Sequence, residues 1–127
     1  MQNKVTFEYA VIRLLPKVER EEFFNIGVIL FSKKNKYLDV KYHINPNKLK
    51  ALAPELELAI LNDYLNAWKI ICDGKLSAGK IGELEISDRF RWLAACRSTI
   101  IQSSKTHPGL CENPEMELDA IFEEFVL

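Results

Sequence analysis

Several things are scarce in this chain of 127 residues. Its three cysteines, Cys72, Cys96 and Cys111, are an odd number at wide, irregular spacing, with no CxxC pair. Its two histidines, His43 and His107, stand near no cysteine pair. That spacing argues against a disulfide framework or a sequence-local zinc motif, and no metal or cofactor is expected. An excess of one charge is also lacking: 17 Lys+Arg face 18 Asp+Glu, for a net charge of −1. This excludes a strongly basic nucleic-acid binder or an acidic tail as the organising feature, while leaving room for a local basic site. The longer apolar runs, such as 26–31, fall far short of the roughly 20 residues of a membrane helix. The N-terminus carries no apolar core behind a basic start, so no secretory signal and no membrane partner are expected, and the cytoplasm is the expected location. The phosphate-cradling and nucleophile-elbow patterns GxxxxGK[ST], GxGxxG and GxSxG do not occur.

What is there is the composition of a folded domain: 48% hydrophobic and 28% charged residues. No repeat, low-complexity stretch or long linker divides the chain, so residues 1–127 are expected to form a single domain. Residues 5–14 read as a strand, with Phe7, Tyr9, Val11 and Arg13 on one face and Thr6, Glu8, Ala10, Ile12 and Leu14 on the other; Pro16 is expected to stop it. Residues 26–31 are apolar throughout, the mark of a central strand covered on both faces, with Gly27 at a bulge or close approach. A loop at 33–36 leads to a cleanly alternating strand at 37–44, near a sheet edge.

Asn45-Pro46 starts a short helix, and Pro54 a second, ended by Asp73-Gly74. Leu58, Leu61, Leu65 and Trp68 give the second helix its inner stripe. A small strand at 84–86, a short helix capped by Asp88, a strand at 98–103 and a turn at His107-Pro108-Gly109 follow. Asn113-Pro114 opens the last helix, with Leu118, Ile121, Phe122, Phe125 and Val126 on one face. The expected fold is α+β: an antiparallel sheet of about four strands packed by helices on one side.

Two stretches exceed what a core requires. Arg13 and Arg20 lie in 13–27, with Glu22 and Asn25; Arg89, Arg91 and Arg97 lie in 88–109, with Ser98, Gln102 and His107. Guanidinium groups suit a planar, bidentate grip on phosphate or carboxylate, and the hydroxyl and amide groups add donors. If the strand at 98–103 pairs beside the first strand, the arginines from both halves converge on one cleft. They read equally as ion pairs on a solvated face, Arg13 with Glu8 or Arg20 with Glu22. Asn25 is a turn residue or a ligand contact. His107 is a loop histidine bonded to backbone or a general acid–base, and Cys111, four residues on, is the one candidate for a nucleophile beside it. Phe23, Phe24, Phe90 and Trp92 near the arginines are core or stacking residues.

The same residues carry a resemblance. Tyr9-Ala10-Val11-Ile12-Arg13 with Pro16, Arg20-Glu21-Glu22-Phe23, Asn25-Ile26-Gly27-Val28, Arg89-Phe90-Arg91-Trp92-Leu93, Arg97-Ser98-Thr99 with Gln102, and His107-Pro108-Gly109 resemble the bacterial domain-of-unknown-function family numbered 3037 over nearly the whole chain. Glu21 stands where the family commonly has glycine, and Cys96 where it commonly has proline. The resemblance implies a bacterial cytoplasmic partner protein, in the setting of HipA-like kinases and toxin–antitoxin or defence systems. The function expected first is a non-catalytic interaction or anion-binding module with a phosphate-bearing ligand or a protein partner. The alternative is a small hydrolase or nuclease using His107 or Glu22 as base, with the arginines steadying developing negative charge.

Overall fold

The computed structural model of the chain describes residues 4–17, 22–74, 79–95 and 100–127. Their order is β1 (Val5–Lys17), β2 (Glu22–Ser32), β3 (Tyr37–Tyr42), α1 (Pro46–Leu52), α2 (Leu58–Asp73), α3 (Gly79–Gly82), α4 (Ile86–Ala94), β4 (Ile101–Ser103), β5 (His107–Cys111) and α5 (Pro114–Phe125). The α+β class is as expected, and the sheet is antiparallel throughout. It has five strands, where about four were expected. The order is β3-β2-β1-β4, and β5 shares β4's side of β1. β4 lies opposite residues 12–14 of β1 and β5 opposite residues 5–9. Where β4 gives way to β5, Ser104 keeps β1 bonded: its N–H donates to the Val11 carbonyl (2.8 Å), and its Oγ accepts from the Val11 N–H (2.9 Å).

The helices cover both faces of the sheet, not one. Ala10, Ile12 and Leu14 of β1 join the larger core with Leu61, Leu65 and Trp68 of α2 and Phe90 and Leu93 of α4. Val5 and Phe7 of β1 join a second core with Leu118, Ile121 and Phe122 of α5. β2 supplies both: Ile29 and Phe31 point to the first core, Val28 and Leu30 to the second. A shift in the β1–β2 register, where Ile12 faces Gly27 and Arg13 faces Asn25, reverses this alternation, so that Phe24 and Ile26 also reach the first core.

Local sequence chemistry explains the helix ends. Asn45 accepts from the N–H groups of Asn47 (2.9 Å) and Lys48 (3.2 Å), and Asn113 from Met116 (3.1 Å), each with proline next in the chain. Four expectations are corrected. β1 runs past Pro16 to Lys17, its register slipping between Leu14 and Lys17. α2 starts at Leu58 rather than Pro54, because the Leu56 N–H closes a turn on the Ala53 carbonyl (3.0 Å) first. Residues 84–86 form no strand; α4 begins at Ile86. His107-Pro108-Gly109 is not a turn but the start of β5. There Pro108 sits on an edge strand, which tolerates a missing N–H, and Gly109 makes room for the Phe7 ring, whose Cζ would lie 2.5 Å from a Cβ.

Arg89 joins α4 to the end of α2. Its Nη1 donates to the carbonyls of Ile71 (2.9 Å) and Cys72 (2.8 Å), and its Nε to Leu84 (3.1 Å). These serve acceptors that a helix C-terminus otherwise leaves open. Gly74 ends α2 at φ 69°, and a Cβ there would stand 2.8 Å from Arg89 Nη1. Arg89→Ala is therefore expected to cost about 2–3 kcal/mol of unfolding free energy in urea, with lysine recovering little because it lacks the planar fork. Gly74→Ala should cost at least about 1 kcal/mol through the left-handed backbone alone. An Arg89→Ala variant as stable as the parent would refute this role.

Candidate functional site

The alternation of β1 decides where its polar side chains go. Ile12 and Leu14 face the larger core, so Arg13 between them stands on the α5 side. Its ladder partners stand there too. Asn25 lies opposite Arg13 on β2 and Gln102 opposite it on β4. Asn25 Nδ2 donates to the Phe125 carbonyl in the last turn of α5 (3.0 Å). The neighbours of Gln102 turn the other way: Ile101 is in the larger core and Ser103 Oγ donates to the Leu93 carbonyl of α4 (3.3 Å). Gln102, Arg13 and Asn25 thus form a row across three strands on one face.

Arg13 is the charged member of this row. Its guanidinium carbon lies 4.5 Å from the centre of the exposed Phe23 ring. Its Nε is buried and has no hydrogen-bond partner. Among the described residues Arg13 forms no ion pair: Glu8, its expected counterion, is held by Arg91 instead. The Asn25 bond brings the C-terminal turn of α5 beside the row, and the negative end of that helix dipole favours a cation here. Further along the same face Tyr9 lies opposite His107, their rings 5.3 Å apart, with the Phe125 ring 6.3 Å from Tyr9. Four sequence candidates, Arg13, Asn25, Gln102 and His107, therefore share one surface. Tyr9 and Phe125 were not foreseen in it, although Tyr9 shares the strand parity of Arg13.

The other arginines do not join them. Arg91 lies across the sheet from Arg13: α4 packs on the larger-core side, where Arg91 grips Glu8 with two hydrogen bonds of 3.1 and 2.6 Å. The Glu8 hydrogen bond holds the Arg91 pKa above its usual value, against the opposing pull of burial. Arg89 is committed to α2. The expected convergence of arginines from the two halves thus fails for Arg13, Arg89 and Arg91, because residues 8 and 13 of one strand have opposite parity. Arg20, Arg97, Ser98 and the side chain of Glu22 lie outside the described residues.

Cys111 and His107 do not meet. They share a strand face four residues apart, about 13 Å along the strand. The Cys111 thiol is buried and pushed up by that burial and by Glu117, the reverse of what a nucleophile needs. Phe24 and Phe90 are core, while Phe23 and Trp92 are exposed. Trp68 is buried in the larger core, as its place on the inner stripe of α2 implies. Among the described residues no group of His, Cys, Asp or Glu is placed to hold a metal ion, and no helix is long and apolar enough to cross a membrane.

A second polar feature follows the outer edge of β3. A groove of about 440 Å³ is lined by Tyr37, Asp39, Lys41, Lys69, Glu115 and Asp119 among others. Lys69 of α2 reaches Asp39 and lies 3.9 Å from Asp73, while Lys41 pairs with Asp119 of α5 at 2.8 Å. Burial lowers the Lys69 pKa, but the hydrogen bond and charge of Asp39, with Asp73, raise it on balance. The Tyr37 hydroxyl is buried without a partner, and burial, then Asp39, Glu115 and Asp119, push its ionisation upward.

The model of a family described as "Protein of unknown function (DUF3037)" matches residues 9–126. Comparison with curated proteins and with solved structures gave no match.

Two outcomes check these assignments. In a Cys96→Ser background, Cys72 and Cys111 should resist a thiol reagent at neutral pH and react only in denaturant, since burial raises both thiols. Arg91→Ala should cost less than about 1 kcal/mol in urea, as its pair with Glu8 is largely exposed. Rapid labelling of Cys111 in the folded protein would restore it as a nucleophile.

Proposed function

With the chain a member of the DUF3037 family, whose description assigns no activity, we propose that it is a non-catalytic interaction module that grips an anionic group of a partner through Arg13. The observation that carries this reading is a guanidinium packed on Phe23, with its Nε buried and unpartnered and no carboxylate bound to it among the described residues. A cation fixed by an aromatic face loses little freedom on binding, and its Nη edge remains for a bidentate contact. Asn25 and Gln102 flank it with amide groups. Tyr9, His107 and Phe125 extend the surface with rings that tolerate an extended or aromatic partner segment. What supports a binding rather than a catalytic role is that His107 lies against Tyr9 and the Cys111 thiol is buried away from it. The anion is a phosphate or a carboxylate; the partner to try first is the HipA-like kinase that the family resemblance implies, in a toxin–antitoxin or defence setting.

The test is titration with inorganic phosphate, nucleotides, phosphopeptides and acidic peptides, read by calorimetry and by the Arg13 side-chain N–H signal. Arg13→Ala should weaken binding roughly 10- to 100-fold, the worth of one charge-assisted contact. Arg13→Lys should recover part of that, and Arg91→Ala should change nothing. Absence of binding to all four probes, together with kinase capture that Arg13→Ala leaves intact, would refute the reading.

A further inference from the structure

Strand β3 ends the sheet, and its outer edge is complementary to itself. The His43 N–H donates to the Ile26 carbonyl of β2 (2.8 Å), and Tyr42 lies opposite Gly27. In that register residues 37, 39 and 41 exchange ladder bonds with β2, while Leu38, Val40 and Tyr42 turn their N–H and C=O groups outward. Val40 bears this out: its N–H is taken by Asp39 Oδ1 at 2.8 Å, not by β2.

The residues centred on Val40 read Leu38-Asp39-Val40-Lys41-Tyr42. About a two-fold axis through Val40 this is an apolar–acid–apolar–base–apolar palindrome with the charges inverted. We infer that a second copy of this chain docks here, β3 against β3, antiparallel about that axis, joining the two sheets into one. Asp39 then stands opposite Lys41 of the second copy, and Lys41 opposite its Asp39; Leu38 stands opposite its Tyr42. All outward main-chain groups of the strand gain partners, Val40 pairing with its own counterpart. Such an interface is isologous and closed, so it stops at two copies.

Leu38 and Val40 are themselves buried at this edge, so docking must displace the side chains that cover it. The groove of about 440 Å³ between the flanking helices follows it. In the free chain the edge is guarded by charge, the usual protection of an unpaired strand. Asp39 covers the Val40 N–H and holds Lys69, and Lys41 holds Asp119. The guard is exchangeable, because Asp39 can give up the Val40 N–H to a main-chain carbonyl while it faces a new lysine.

Sedimentation velocity over a wide concentration range gives the test. The parent should form a dimer. Asp39→Lys should weaken it at least about tenfold, since by symmetry two attractive pairs become two repulsive ones. Asp39→Lys combined with Lys41→Asp should restore it. Amide exchange of the parent needs no variant: protection of Leu38, Val40 and Tyr42 should rise with protein concentration. A parent that stays monomeric to millimolar concentration, or a dimer indifferent to these substitutions and without new protection in β3, would overturn the inference.

Discussion

The structure hangs on one strand that is used in every direction. β1 is bonded to β2 along one edge and to β4 and β5 along the other, and each of its faces supplies residues to one of the two cores. Because β4 and β5 are separate, the β1 main chain would be left unpaired between them. The Ser104 hydroxyl takes the place of a carbonyl there, and its N–H completes the exchange with Val11. Such a buried N–H left without a partner is rare and costly, so this one side chain lets two short strands act as a single long one. With its edges and faces committed, β1 fixes the direction of each side chain it carries. Glu8 must look toward α4 and Arg13 toward α5.

That constraint separates what a sequence reader can find from what it cannot. Caps are local, and Asn45-Pro46 and Asn113-Pro114 start helices as read. Alternation is local too: Ala10, Ile12 and Leu14 go to one core and Phe7 and Tyr9 to the other, as the two faces of β1 predict. The apolar stripe of α5 says that the helix must lie on something, but not on which side of the sheet; hence the expectation of a one-sided layer. The fifth strand was hidden for a different reason. His107-Pro108-Gly109 has turn chemistry, and only the Phe7 ring, a hundred residues away in sequence, shows that Gly109 is needed for close packing in a strand. Pro54 misled likewise, marking the turn before α2 rather than its first residue.

The polar surface was legible in part. Arg13, Asn25, Gln102 and His107 were candidates from sequence and do share a face. The grouping by residue type was the weaker guide. Arg89 and Arg91 are close in sequence to other arginines and distant from Arg13 in space, because closeness along a helix says nothing about which face of the sheet that helix covers. Arg89 serves main-chain carbonyls and Arg91 a carboxylate. Arg13 differs from both in what surrounds it: an aromatic ring and two amides, with its Nε unsatisfied.

The Arg13 surface and the β3 edge bear on each other through the geometry of the sheet. β3 and β1 are separated by β2, so pairing at β3 leaves the row of Gln102, Arg13 and Asn25 uncovered. An antiparallel pairing also keeps equivalent faces on the same side, since the two-fold axis runs perpendicular to the sheet. Two Arg13 surfaces would then look the same way, about 24 Å apart across five strand spacings and about 20 Å apart along the strands, because Arg13 stands three residues beyond Ala10, which is level with Val40 through Ile29; the separation is roughly 31 Å before twist is counted. A single cation on an open face makes a weak contact. Two at a fixed separation convert the second contact into an intramolecular one, and gain affinity for a partner that presents two anionic groups at matching distance. The edge that joins two copies would thereby set the spacing at which the proposed anion sites act together.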